Sequence, residues 1–250
     1  MSAVALELYR WNVRASSLVM EYVSYIEVLV RNAMDHVICA WLENQPVHSV
    51  SDWIIVNGDD PLSRIRRLVN TGDKDYFQDA YITAMRKQKQ WKSDYAHPRH
   101  GDHINRDDVF SQLTFGTWDG MLSRSSSDPE LAQVLMNAFP EINRAWMIEQ
   151  KRMPNAVLPD GSDSSGDGLR LELTNRLRNI RNVRNRAVHE ENLLRVDFPQ
   201  LRRNMLFVLG AIGAEYIRWA FPDYANALKA LTPRQVIGRH AYGPTVVTDG

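Results

Sequence analysis

The chain has 250 residues, 44% of them apolar and 24% charged, an ordinary soluble-globular composition with enough length to bury a substantial core. Thirty basic residues balance thirty acidic ones, which excludes a surface that is all nucleic-acid clamp but not a local basic patch. The lone cysteine, Cys39, excludes an internal disulfide and a multi-cysteine metal site. No apolar run approaches the roughly 20 residues that cross a bilayer, and MSAVALELYRWNVR lacks the order of a secretory signal. A cytoplasmic protein without a membrane partner is expected.

From Ala5 to Leu42 apolar residues recur at three- and four-residue steps, among them Leu8, Trp11, Leu18, Tyr22, Ile26, Leu29, Ala33, Val37 and Trp41. No Pro or Gly interrupts the pattern, so it predicts one very long helix or two nearly continuous ones, closed by Pro46. A connector over 45–60 ends in the turn-like Asn57-Gly58-Asp59-Asp60-Pro61. Helices are predicted at 62–70 and 74–93, with Asp73 capping the second. After a polar loop from Tyr95 to His103, Asn105 or Asp107 caps a helix through Val109, Leu113, Phe115, Trp118 and Leu122. Helices at 128–138 and 141–152 follow.

The Asp-, Ser- and Gly-rich segment from Pro154 to Gly168 is predicted as a flexible surface loop. Leu169 to about His189 is helical, and a strongly apolar helix spans 198–221, stopped by Pro222. A short helix near 223–237 precedes a frayed tail at 238–250. Period-two alternation is scarce, so the expected class is all-α, a helical bundle forming a single domain over 1–250. Its parts would be the N-terminal helices (5–44), middle helices (62–152), the loop 154–168, and the helices of 169–221.

Residues 174–186, TNRLRNIRNVRNR, hold five arginines (Arg176, Arg178, Arg181, Arg184, Arg186), four asparagines and no acid. A solvated helix face is the bland explanation of such a stripe. At about 100° per residue, however, Leu173, Leu177, Ile180, Arg184, Ala187 and Val188 share one broad face. Arg184 therefore falls within the apolar stripe, where its charge needs a partner. Arg178, Asn185 and His189 group on the flank.

Arg184-Asn185-Arg186-Ala187-Val188-His189 resembles the R-x4-H motif of HEPN-domain ribonucleases. ALELYRWNVRASSLVMEYVSYIEVLVRNAM (5–34) resembles the opening helices of Abi-like (abortive infection, AbiD/AbiF-type) proteins. QLTFGTWDGML (112–122) resembles that family's "LSFGFW" segment. The three occur in family order at similar spacing, and the resemblance covers most of 5–220. The family commonly reads His-Glu-Pro after the motif; here Glu190-Glu191-Asn192 stands instead, and Glu191 matches the family Glu.

The resemblance implies a HEPN-type bundle with additional helices and a metal-independent endoribonuclease acting in phage defence or as a toxin, without cofactor or metal. The chemistry suits the pair. Imidazole moves protons near neutral pH, while a forked, always-charged guanidinium stabilises the extra charge on a phosphorane. The ribose 2′-hydroxyl is then the nucleophile, and 2′,3′-cyclic phosphate ends are expected. Arg184 and His189 are the implied catalytic pair, with Asn185 orienting a catalytic group or the phosphate, and Arg178, Arg181 and Arg186 following the RNA backbone. A homodimer would bring two motifs together across an isologous contact.

Glu27, Arg31 and Asn32 are polar residues on an apolar helix. Glu27 and Arg31 are spaced to pair with each other, or to support the motif helix, as Glu191 would. The run His97-Pro98-Arg99-His100-Gly101-Asp102-His103 is broken by Pro and Gly and is expected to be a solvated loop, not a metal site. Phe115 and Trp118 are expected in the core. One rival function is a non-catalytic HEPN module that holds a structured small RNA, as the resemblance to the HEPN parts of type VI CRISPR effectors suggests. Another is a toxin restrained by an antitoxin that modifies a Tyr just after the motif, but residue 191 is Glu.

Overall fold

The uninterrupted apolar periodicity at the N-terminus builds a single 41-residue helix, α1 (Ala3–Glu43), in the computed structural model. The structure describes residues 3–45, 52–54, 62–72, 74–162, 166–222 and 231. Pro46, Asp73, most of the 45–60 connector, and nearly all of the expected 223–237 helix and the tail lie outside them. All regular structure among the described residues is helical, with no strand, so the chain is all-α. Helices α2 (Leu62–Val69), α3 (Tyr76–Ser93), α4 (Arg106–Phe110), α5 (Phe115–Arg124) and α6 (Pro129–Met136) follow in the middle of the chain. After them come α7 (Ile142–Arg152), α8 (Gly166–Val188), α9 (Phe198–Ile212) and α10 (Ala214–Ala220). No described helix is long and apolar enough to cross a membrane.

The chain divides into two compact units, one of Met1–Leu29 with Glu141–Gly250 and one of Val30–Pro140. In the second unit, Trp53, Phe77, Phe110 and Trp118 meet edge to face, with centroids 5.5–6.2 Å apart. Phe115 and Trp118 are core residues, 1% and 0% exposed. Asp35 accepts the Trp53 indole N–H at 2.8 Å and a bond from Arg106, which also reaches Asp52 at 3.1 Å. Burial beside Asp35 pushes the Cys39 thiol up to about 11, so it stays protonated and unreactive at neutral pH.

Three predicted boundaries shift for local reasons. Asp75, not Asp73, caps α3, accepting from the backbone N–H of Phe77 and Gln78. The helix expected from Asn105 through Leu122 is two: α4, opened by an Asn105–Asp108 capping box, and α5. Between them the Ser111 hydroxyl and the Gln112 amide both bond the Asp108 carbonyl, taking the place of the next helical turn. Gly213, in extended backbone, likewise divides the expected 198–221 helix into α9 and α10.

In the first unit α9 packs against α7, α8 and α10. Trp11 of α1 sets its edge against Phe198 at 6.0 Å, and Tyr22 stacks on Phe221 at 4.4 Å. The segment expected as a flexible loop is fastened where it is described: Leu158 is 1% exposed, and its N–H donates to Ser162 O at 3.1 Å. Helix α8 already starts at Gly166, inside the span expected to be loop.

Asp128 caps α6, accepting from Leu131 N, and takes both ends of the Arg64 guanidinium at 2.7 and 2.8 Å. These bonds hold its carboxyl below the ordinary carboxylate range. A carboxylate with a lowered folded pKa adds stability above its unfolded pKa, about 3.9 for Asp. That stability is lost as pH falls through the lower folded value. Asp128→Ala is expected to cost about 2–3 kcal/mol in urea unfolding near pH 7, from the cap and the charged hydrogen bonds together. The difference between variant and wild type should shrink as the pH is lowered below 4; a difference that is constant with pH would contradict the ionic origin.

Candidate functional site

Helix α8 buries Leu173, Leu177, Ile180, Val183 and Ala187 on one face, as the periodicity predicts, but Val188 is exposed. The stretch 174–186 has five arginines and no acid of its own, and the fold gives Arg176, Arg184 and Arg186 carboxylates from outside it. Arg176 is buried, bonding Glu149 of α7 and Glu172, each at 2.6 Å, and it lies over the Phe207 ring at 4.1 Å. Arg186 turns to the segment after the helix, donating to the Asn192 carbonyl with its Nε 3.7 Å from Glu191. Arg178 is exposed and reaches Asn175 at 3.4 Å, and Arg181 is half-buried.

Arg184 is half-buried on the apolar face. Its Nη2 lies 4.0 Å from Glu27 Oε2 of α1, with side chains 28% and 21% exposed. Nη1 donates to Asn185 Oδ1 at 3.3 Å, and the buried Nε has no hydrogen-bond partner among the described residues. The counter-charge is thus close but loosely engaged, and donor capacity remains on the guanidinium. Arg31, the other charged residue singled out on α1, lies over the Phe110 ring at 5.1 Å within the second unit.

The motif histidine is not within the regular helix but at its cap. His189 N–H still bonds Asn185 O at 3.1 Å; Glu190 then turns to the left-handed region at φ 54°. Glu190 N donates to Ala187 O and Glu191 N to Arg186 O, the paired bonds of a Schellman ending. The chain leaves the helix sharply here, and the exposed imidazole of His189 stands at the end of α8 beside exposed Asn185. The imidazole makes no hydrogen bond or ion pair among the described residues, leaving both ring nitrogens open to an incoming group.

Sequence reasoning missed Asn12. From α1 its side-chain amide donates to Glu191 O at 3.3 Å, and its Oδ1 accepts Leu193 N–H at 2.9 Å. One side chain thus satisfies two backbone groups of the segment leaving the motif, tying its position to α1. The only sequence signal is a polar residue one step past Trp11 in an apolar helix. Among the other candidates, Arg99 N–H bonds His97 Nδ1 at 3.1 Å, and His97 stacks on Trp91. No group of three or more metal-ligating side chains occurs among the described residues.

An all-α protein with an arginine seated opposite a glutamate and a histidine at the helix end is the class that this geometry defines. The chain belongs to the Abi-like protein family, whose profile matches residues 2–195, a membership that points to abortive-infection defence. That span runs from the start of α1 past the whole Arg184–His189 segment. No curated protein and no solved structure matches the chain.

A left-handed Glu at the helix end carries a steric penalty of about 1 kcal/mol that Gly avoids. Glu190→Gly is therefore expected to raise the unfolding free energy by about 0.5–1 kcal/mol, read from the urea midpoint. A lower midpoint would show that the Glu190 side chain contributes more than its backbone conformation costs.

Proposed function

We propose that the chain is a metal-independent HEPN endoribonuclease that acts in phage defence or as a toxin. The observation that carries this reading is the state of Arg184: partly desolvated, near Glu27, yet with donors left over at the helix end where His189 is open. A scissile phosphate arriving there would meet a cation less hydrated than a surface arginine. His189 would take the 2′-hydroxyl proton or protonate the leaving 5′-oxygen, and the oxyanions of the phosphorane would lie against Arg184. The phosphorus–5′-oxygen bond breaks as the phosphorus–2′-oxygen bond forms, leaving a 2′,3′-cyclic phosphate and a 5′-hydroxyl.

One motif supplies one imidazole, whereas the reaction uses both a base and an acid. A homodimer with two motifs facing each other answers that shortage. Leu6, Tyr9 and Val13, at helical spacing on α1 and 47–61% exposed, support such a contact, as does Val188 at 44%. Arg178 and Arg181 are the arginines of α8 best suited to the RNA backbone; Arg186 is engaged in holding the 191–192 segment.

The test is cleavage of total RNA in EDTA. His189→Ala and Arg184→Ala should each lower the rate by about 10²–10³-fold or more, with helical content and oligomeric state unchanged. Full activity in either variant would end the assignment. RNA that co-purifies intact, with no cleavage by wild type between pH 6 and 8, would favour a non-catalytic module holding a structured small RNA.

A further inference from the structure

Helices α7, α9 and α10, all within the first unit, line a half-open cavity of about 570 Å³. That volume is in the range of small-ligand sites. Five arginines line it: Arg144 and Arg152 from α7, Arg202 and Arg203 from α9, and Arg218 from α10. Glu149 is the single carboxylate among the lining residues, and it is already bonded to Arg176 at 2.6 Å. Arg144 leans towards Glu141 at 3.7 Å, and Arg203 is steadied by the Gln200 side-chain carbonyl at 3.0 Å. In a chain of zero formal net charge, the lining residues of this one concavity thus count five guanidinium groups against one carboxylate. Like charges gathered this way repel, and an anion relieves the repulsion.

The walls decide what kind of anion. Phe207, Leu206, Ile148 and Ile217 give the cavity apolar surface that a bare phosphate or a polyphosphate chain cannot cover. Glu149 is 3% exposed, and its Oε1 has no donor among the described residues, an arrangement that buried carboxylate oxygens seldom keep. A ligand that brings several negative charges, a flat apolar body and N–H or O–H donors satisfies all three features. We infer that this cavity binds a nucleoside polyphosphate, with its phosphates on the arginines of α7, α9 and α10, its base against the apolar wall and a sugar or base donor directed to Glu149. The site is distinct from the α8 end, since none of its lining residues lies on α8. It meets that helix through the Glu149–Arg176 pair and the Arg176–Phe207 stacking.

The experiment is calorimetric titration of the full chain, in EDTA, with ATP, GTP, the uncharged nucleosides and inorganic tripolyphosphate. ATP or GTP should saturate one site per chain, with the matching nucleoside at least 100-fold weaker and tripolyphosphate at least tenfold weaker. Arg152→Ala/Arg218→Ala, two exposed positions, should weaken nucleotide binding at least tenfold. The comparison of ligands on the wild type needs no variant, so it stands even if a variant misfolds. Binding should persist in Arg184→Ala, which separates this claim from the ribonuclease reading. No saturation by either nucleotide up to millimolar concentration would overturn it, as would equal binding of tripolyphosphate or unchanged affinity in the double variant. Loss of affinity for a short RNA in the double variant, with no nucleotide bound by wild type, would show a polynucleotide track instead and overturn it as well.

Discussion

A guanidinium on the buried side of a helix is costly unless a carboxylate meets it, and helix α8 carries three such arginines: Arg170, bonded to Asp167 at 2.7 Å, Arg176 and the half-buried Arg184. Arg176 is fully committed, clasped by Glu149 and Glu172 and stacked on Phe207. Removing one partner of a buried pair of that kind costs about 3–5 kcal/mol, because the other charge is stranded. Arg184, two turns further on, has Glu27 at 4.0 Å, a 3.3 Å bond to Asn185, and an Nε with no hydrogen-bond partner among the described residues. The same residue type on the same helix is thus a structural bolt at one position and a poised cation at the other.

The end of α8 shows how backbone geometry serves such a site. The Schellman turn at His189 and Glu190 ends the helix abruptly, and the Asn12 clamp on Glu191 and Leu193 fixes the departing chain to α1. Opposite the motif, Glu27 belongs to the same helix as Asn12, about four turns along. Helix α1 therefore supplies both the counter-charge for the arginine and the anchor for the segment after the histidine. This gives a physical reason why family likeness extends over α1 as well as over the motif.

Much of the fold was legible because apolar spacing in long helices is a redundant signal. The 41 residues of α1 and the buried face of α8 follow directly from it. Boundaries were not legible where a single side chain redirects the backbone, as Ser111 and Gln112 do after α4, or where Gly213 interrupts α9 and α10. Within the candidate site, Arg184 could be placed on the apolar stripe by angle alone, but its partner could not, since Glu27 is 157 positions away. The same applies to Arg176, whose partner Glu149 lies on another helix, so that the sequence alone gives it the look of a solvated basic stripe. The cavity arginines, scattered over three helices, form no local motif, and only tertiary packing gathers them.

If the end of α8 is the ribonuclease site proposed above, it breaks RNA through the ribose itself. The most direct measurement uses a short RNA cut by the wild-type protein, synthesised again with a single 2′-deoxy sugar at the scissile nucleotide. Cleavage at that position should vanish while the modified strand still competes for binding, and the unmodified products should end in 2′,3′-cyclic phosphate. Continued cutting at the deoxy position, or products ending in 3′-hydroxyl and 5′-phosphate, would contradict it.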